Sequence, residues 1–357
     1  MKRNINCGGV VIGGNAPVSI QSITNTNTSD VRSTIEQIGR LEEAGCQIVR
    51  LAVPDMDAAY ALKQIKAAAH IPIVADIHFD YRLALESIRS GVDKIRINPG
   101  NIGSEDGVKQ IVQMAKERNI PIRVGVNSGS LEKDILEKYG RVTAEGLAES
   151  AVRNAELLEK HGFEDIVLSL KSSDVRMNYE AYKIVDRETD YPLHIGVTEA
   201  GTPSRGKIKS AAGIGALLLE GIGNTMRVSL TADPVEEVFF AAQLLETVGL
   251  RREDIEIVSC PTCGRTEVDL ETIAGAVERR IPELKESGVS RIKIAVMGCA
   301  VNGPGEARGA DIGVACGRGK GVLFAGGEIV KTVKAEDIAD ELVKMALGYD
   351  KNTGRLD

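Results

Sequence analysis

The feature that most constrains the fold of this chain is an alternation of strand-like and helix-like segments, repeated eight times between Pro17 and residue 231. Short β-rich runs recur as VSIQS just after Pro17, QIVRLAV at 47–53, IPIVADI at 71–77, VDKIRIN at 92–98, IPIRVGVN at 120–127, DIVLSL at 165–170, YPLHIGVT at 191–198 and NTMRVSLT at 224–231. The intervening stretches, such as VRSTIEQIGRLEEAG, TAEGLAESAVRNAELLEKHG and PVEEVFFAAQLLETVG, carry apolar residues at three- and four-residue spacing, as helices with one buried face do. Helical crossovers imply parallel strands. Eight such units in about 230 residues predict a closed (β/α)8 barrel, a TIM barrel, with its active site at the C-terminal ends of the strands. An open doubly wound sheet shares this periodicity and stays open as the alternative.

The pattern changes after Leu250. A strand IEIVS at 255–259 leads into CPTCGR, followed by a helix over 267–286, a strand RIKIAVMG, a glycine-rich stretch, a hairpin GVLFAGGEIVKTV and a closing helix over 335–347. The expected organisation is therefore a barrel over 1–250 that binds substrate and a small α/β domain over 251–357. The last residues, GYDKNTGRLD, are expected to fray.

The strand ends are basic. Arg50, Arg96, Arg123, Lys171 and Arg227 lie on five predicted strands or at their C-terminal ends, and period-two alternation puts Arg123 with Asn127, and Arg227 with Ser229, on common faces. Singly, such cations usually reach solvent. Five in five different units suit one anionic group, because Arg meets phosphate through a bidentate fork and Lys as a point charge. Glu199, in HIGVTEAG, also falls at a strand end, where a carboxyl group can donate a proton. His78, in ADIHF, can hydrogen-bond a ligand or serve structure alone.

A net charge of -7 without a clustered basic arm argues against nucleic acid, and the absence of Trp with 3% aromatics argues against base stacking. Apolar runs break well short of the ~20 residues a membrane span needs. The segment MKRNINCGGVVIGG lacks the apolar run of a secretory signal, so a cytoplasmic location is expected. In that compartment six cysteines favour metal or cluster ligation over disulfides.

Cys260, Cys263 and Cys299 are the sharpest of these, a CPTC pair after one strand and a GC after the next. Gly- and Pro-containing turns there point backbone N–H groups at thiolates, which suits an iron-sulfur cluster, while CxxC alone equally fits structural zinc. The fourth ligand is open. Cys316 would give a fully thiolate-held centre suited to electron transfer alone, whereas Glu306, in GCAVNGPGE, would leave one iron that substrate can reach. Cys7 and Cys46, isolated in the barrel portion, read as small buried hydrophobes.

These segments together resemble one family. IQS at 20–22, GCQIVRLAVP, ADIHF, KIRINPGNIG, VGVNSGSLEKD, LHIGVTEAG, GIGNTMRVSLTADPVEEV, CPTCGR and MGCAVNGPGEA are similar, nearly end to end, to bacterial 4-hydroxy-3-methylbut-2-enyl diphosphate synthases of the methylerythritol phosphate pathway, in their compact two-domain form. The resemblance implies a barrel and cluster domain in a homodimer whose active site forms between subunits. It implies one 4Fe-4S cluster per subunit held by Cys260, Cys263, Cys299 and Glu306, with Asn302 nearby. It also implies a diphosphate clamp of Arg50, Arg96, Arg123, Asn127, Lys171, Arg227 and Ser229, and Glu199 as the barrel's acid. The reaction so implied is the two-electron reductive ring opening of 2-C-methyl-D-erythritol 2,4-cyclodiphosphate, with electrons from reduced flavodoxin or ferredoxin.

Overall fold

A computed structural model describes residues 1–252, 255–299, 309–350 and 355–356. The chain divides into two compact units, Met1–Arg251 and Arg252–Asp357.

The first unit opens with a hairpin of β1 (Asn4–Cys7) and β2 (Val10–Gly13), joined through Gly8 and Gly9. Both turn residues have positive φ, +55° and +96°, the conformation of a tight two-residue hairpin turn. Then follow β3 (Ser19–Ile23), β4 (Ile48–Ala52), β5 (Ile73–Asp76), β6 (Lys94–Ile97), β7 (Ile122–Asn127), β8 (Ile166–Lys171), β9 (His194–Ile195) and β10 (Thr225–Met226). All pairings are parallel, in the order β8-β7-β6-β5-β4-β3-β10-β9. A bridge between Leu168 and Leu193 joins the two ends and closes the barrel. Sequential neighbours around a ring exclude the doubly wound alternative, whose strand order reverses at a switch point.

Helices start where the loops after the strands supply caps. Asp30, Asp55, Asp80, Ser104, Thr143, Asp174 and Asp233 each accept a backbone N–H in the first turn of the helix they precede. The apolar faces of these helices pack on the outward strand residues, among them Val49, Leu51, Ile73, Ile95, Val124, Leu168 and Ile195. The alternate strand residues therefore face the lumen. At its lower end the lumen is closed by Ile48, Val74 and Val167 packed against Ile5, Cys7 and Ile12 of the N-terminal hairpin. Cys7 in this floor and Cys46 in the core between helices and strands are both buried, at 0% and 3% exposure.

Two expected strands are shorter than their β-rich runs. β10 ends at Met226 because the later donors turn elsewhere: Leu230 N–H bonds Glu237 Oε1 at 2.8 Å and Thr231 N–H bonds the Gly201 carbonyl at 2.9 Å. β9 is confined to two residues because the Tyr182 hydroxyl is inserted into the seam. That hydroxyl accepts from Leu170 N at 3.1 Å and donates to the His194 carbonyl at 2.7 Å, in place of a direct bond between β8 and β9.

The second unit is a five-stranded sheet of β11 (Ile255–Ser259), β12 (Ile292–Met297), β13 (Ile312–Gly317), β14 (Lys320–Ala325) and β15 (Glu328–Lys334), in that order. The first two pairs are parallel and the last two antiparallel. β13 lies in the stretch read only as glycine-rich. The single helix expected over 267–286 is two, Leu270–Arg279 and Ile281–Glu286. Asp269 caps the first by accepting from Thr272 N, and Pro282, unable to donate to the preceding turn, restarts the second. The expected closing helix runs over Ile338–Leu347 after a short 3-10 turn. Near the C-terminus, where fraying was expected, Tyr349–Asp350 pairs with Arg355–Leu356. Among the described residues no helix is long and apolar enough to cross a membrane.

Candidate active site

The lumen of the barrel is polar where most such barrels are filled by branched apolar residues. Its inward positions hold Arg50, Lys94, Arg96, Arg123, Lys171 and the backbone extension to Arg227. Asp76 on β5 is the carboxylate at their centre, 3.0 Å from Arg96 Nη1 and 3.5 Å from Arg50 Nε. Burial alone would raise the Asp76 carboxyl, but Arg50, His78 and Arg96 outweigh it and hold it well below the usual carboxylate range. Arg96 also donates from Nη2 to the Gly125 carbonyl at 3.1 Å. A Cβ at Gly125 would sit 2.3 Å from Arg96 Nε, so glycine there is what lets the guanidinium lie across the neighbouring strand. Asn127, with its amide turned to suit its neighbours, accepts from Arg96 Nη2 at 3.3 Å.

Arg123 is 1% exposed, and its Nε and Nη1 have no hydrogen-bond partner among the described residues. Burial, then the charges of Arg50 and Arg96, depress its pKa far below the ordinary guanidinium value. Burial likewise lowers Arg50 to about 10. Lys171, depressed by burial and then by Arg123 and Arg227, has its Nζ 3.4 Å from His194 Nε2. Arg227 reaches the buried Glu237 at 3.4 Å. Buried donors without a partner among the described residues, set in a cationic lumen, are chemically suited to an anionic group.

The mouth above them is a cavity of about 280 Å³, lined among others by His78, Arg96, Asn98, Asn127, Thr198 and Glu199. His78 is largely exposed, with Nε2 3.6 Å from Asp76 Oδ2. Glu199 holds a left-handed backbone, φ +51°, a conformation that costs a non-glycine residue energy and that clusters at functional sites. Ser229, half-buried, follows Arg227 beyond the end of β10.

The thiols fall in the second unit. β11 and β12 are parallel neighbours, with Ser259 opposite Val296, so Cys260 and Cys299 follow the C-terminal ends of adjacent strands. Gly298 N donates to Cys260 Sγ at 3.2 Å. Cys263 is exposed, and hydrogen bonds from Arg265 lower its thiol pKa. Such N–H and cationic contacts favour thiolate, the ligand form of cysteine, so these residues fit a metal-sulfur group. Cys316, by contrast, is fully buried in the apolar core of this unit, and burial pushes its thiol up to about 11. Among the described residues no three metal-ligating side chains form a ready-made site, and Asn302 and Glu306 lie outside the described residues.

Asp76, Glu237, Lys94 and His194 were not singled out from sequence as site residues. Alternation along the strands would have placed all but Glu237 on the inward face with Arg50, Arg96 and Arg123; Glu237 sits one helical position from Glu236 and carries no such signal.

Fold and site together are those of an α/β-barrel enzyme with a cation-lined mouth, joined to a separate unit bearing thiols. Residues 2–242 match the GcpE TIM-barrel domain, and residues 256–347 match the GcpE protein C-terminal domain. The chain belongs to the GcpE family. It is 58% identical over 344 residues to the 4-hydroxy-3-methylbut-2-en-1-yl diphosphate synthase (flavodoxin) of Caldanaerobacter subterraneus subsp. tengcongensis, covering 96% of each chain. It is also 58% identical over 343 residues to the enzyme of the same name from Clostridium perfringens, covering 96% of this chain and 97% of that one. The fold alone is shared with the dihydropteroate synthase of Yersinia pestis, at a TM-score of 0.51 and 11% identity, over 70% of this chain and 98% of that one.

Proposed function

We infer that this chain converts 2-C-methyl-D-erythritol 2,4-cyclodiphosphate to (E)-4-hydroxy-3-methylbut-2-enyl diphosphate, as an oxidoreductase of isoprenoid precursor biosynthesis in the cytoplasm. The observation that carries this reading is the charge balance of the lumen. Arg50, Arg96, Arg123, Lys171 and Arg227 outnumber the carboxylates about them among the described residues, Asp76 and Glu237 in ion pairs and Glu199 at the mouth, while Lys94 has Asp93 beside it. A cyclic diphosphate supplies the missing negative charge. Opening its ring frees a phosphate oxygen and makes the group more negative, so the same cations bind the opened form more strongly than the closed one.

In this reading Arg50, Arg96, Arg123, Asn127, Lys171, Arg227 and Ser229 bind the diphosphate, His78 and Asn302 contact the ligand, and Glu199 delivers a proton to the hydroxyl oxygen that leaves as water. Overall the substrate takes up two electrons and two protons and releases water. Cys260, Cys263, Cys299 and Glu306 would hold a 4Fe-4S cluster, one per subunit, which when bound supplies the electrons singly. The burial of Cys316 in the apolar core supports Glu306 as the fourth ligand. The names of the curated relatives support reduced flavodoxin as donor, with ferredoxin the same class of carrier, and a homodimer pairs the barrel of one subunit with the thiol-bearing unit of the other.

The test is anaerobic electron paramagnetic resonance of the dithionite-reduced, cluster-loaded protein. A cluster signal that shifts on adding the cyclic diphosphate is the expected result. A signal indifferent to substrate would favour a simple electron carrier, and a colourless protein containing zinc would overturn the assignment.

A further inference from the structure

The diphosphate clamp proposed above, on which this inference rests, leaves His194 without a task. The residue is completely buried on β9, facing the lumen, with its ring Nε2 3.4 Å from Lys171 Nζ and its Nδ1 unpartnered. Lys171 has no carboxylate within ion-pairing distance among the described residues, and the charges nearest it, Arg123, Arg227, Arg50 and Arg96, share its sign. An ammonium so placed is repelled from the lumen unless something on the barrel wall accepts a hydrogen bond from it.

The wall is shaped for that contact. A Cβ at Gly196, two residues along the same inward line, would lie 3.0 Å from Lys171 Nζ and 2.7 Å from the Arg227 carbonyl, so the absent side chain is the slot that Lys171 crosses. Tyr182 fixes the backbone on both sides of the slot, accepting from Leu170 N on β8 and donating to the carbonyl of His194 on β9. An ammonium has donors only, so the imidazole nitrogen facing it must be the acceptor, and Nδ1 carries the ring proton. Burial, then the charges of Arg123, Lys171 and Lys94, hold the ring in the neutral form that this requires.

We propose that His194 is a positioning residue whose Nε2 accepts a hydrogen bond from Lys171 and holds that ammonium across the Gly196 slot, aimed at the diphosphate. Leucine at this position would keep the bulk and remove the acceptor, whereas glutamine would keep an acceptor.

Calorimetric titration of the holoenzyme with inorganic diphosphate tests this in four variants: Lys171→Met, His194→Leu, His194→Gln and the Lys171→Met/His194→Leu pair. The expected result is a loss of affinity of roughly tenfold or more for Lys171→Met, about fivefold for His194→Leu and less than about twofold for His194→Gln, with the double variant no weaker than Lys171→Met alone. Additive losses would show that His194 does not act through Lys171 and overturn the proposal while leaving the clamp intact. Unchanged affinity in Lys171→Met would instead sink the clamp itself. Should His194→Leu fail to fold, nitrogen-15 histidine spectra of the unaltered protein decide the matter, since its four histidines give few signals. A neutral ring protonated at Nδ1, whose Nε2 shift responds to diphosphate, supports the proposal; protonation at Nε2 overturns it.

Discussion

Asp76 sets the geometry of the mouth. Its two oxygens meet Arg96 and Arg50, and removing the carboxylate would leave those guanidinium groups facing Arg123 with nothing between them. Asp76→Asn is expected to destabilise the fold by about 3 kcal/mol, in line with other broken buried pairs, and urea unfolding measures it. The pH dependence has a definite sign. The folded-state pKa of Asp76 lies below the unfolded value of about 4, so its stabilising contribution is present above that pH and is lost as pH falls through the lowered folded value. The asparagine variant should therefore lose less stability than the parent as pH falls below about 4. Gly125 gives a second prediction at this scale. Gly125→Ala would drive its methyl group into Arg96, and diphosphate affinity should drop about tenfold, about 1.4 kcal/mol, with unfolding temperature little changed. Wild-type affinity in that variant would mean Arg96 is not part of the clamp.

The cations themselves were legible in sequence, because a charge at the end of a β-rich run has few explanations when it recurs in five units. Their carboxylate partners were not. Asp76 sits in an apolar run, IPIVADI, and Glu237 in a helix start already crowded with acid, so only the folded arrangement shows that each one answers an arginine. Asn302 and Glu306 stay where the sequence left them, resting on the motif MGCAVNGPGEA.

Among the elements, periodicity located every barrel strand and the crossover helices, since each helix follows a strand end and most carry an aspartate, serine or threonine cap. It overstated β9 and β10 because composition reports β-propensity, whereas a strand also needs a partner for each N–H, and here Tyr182, Glu237 and Gly201 take those partners away. It missed the N-terminal hairpin, whose Gly8-Gly9 pair between short alternating runs was a readable turn signal. The Tyr182 seam carries its own prediction. Tyr182→Phe removes the bridging hydroxyl from two buried backbone groups and should cost about 1–3 kcal/mol, with faster hydrogen exchange at the Leu170 amide. Undiminished protection at Leu170 would show that the two strands join directly once the hydroxyl is gone.

At the scale of the whole molecule, the cationic lumen belongs to one compact unit and Cys260, Cys263 and Cys299 to the other. Cys263→Ser should therefore abolish the visible absorbance of the cluster and the reductive activity while leaving calorimetric binding of inorganic diphosphate within about twofold of the parent. A parallel collapse of diphosphate binding would show that the mouth is not built without the thiols. The hairpin at the floor of the barrel has a further consequence, one of timing during synthesis. Ile5, Cys7 and Ile12 leave the ribosome before all of the strands whose ends they seal, and Val167, the last of those partners, follows about 155 residues later, some ten seconds or more at ordinary elongation rates. For that interval the nascent chain carries an apolar hairpin covered at most in part, by Ile48 and Val74, a natural foothold for a chaperone, and the floor is completed long after it is begun.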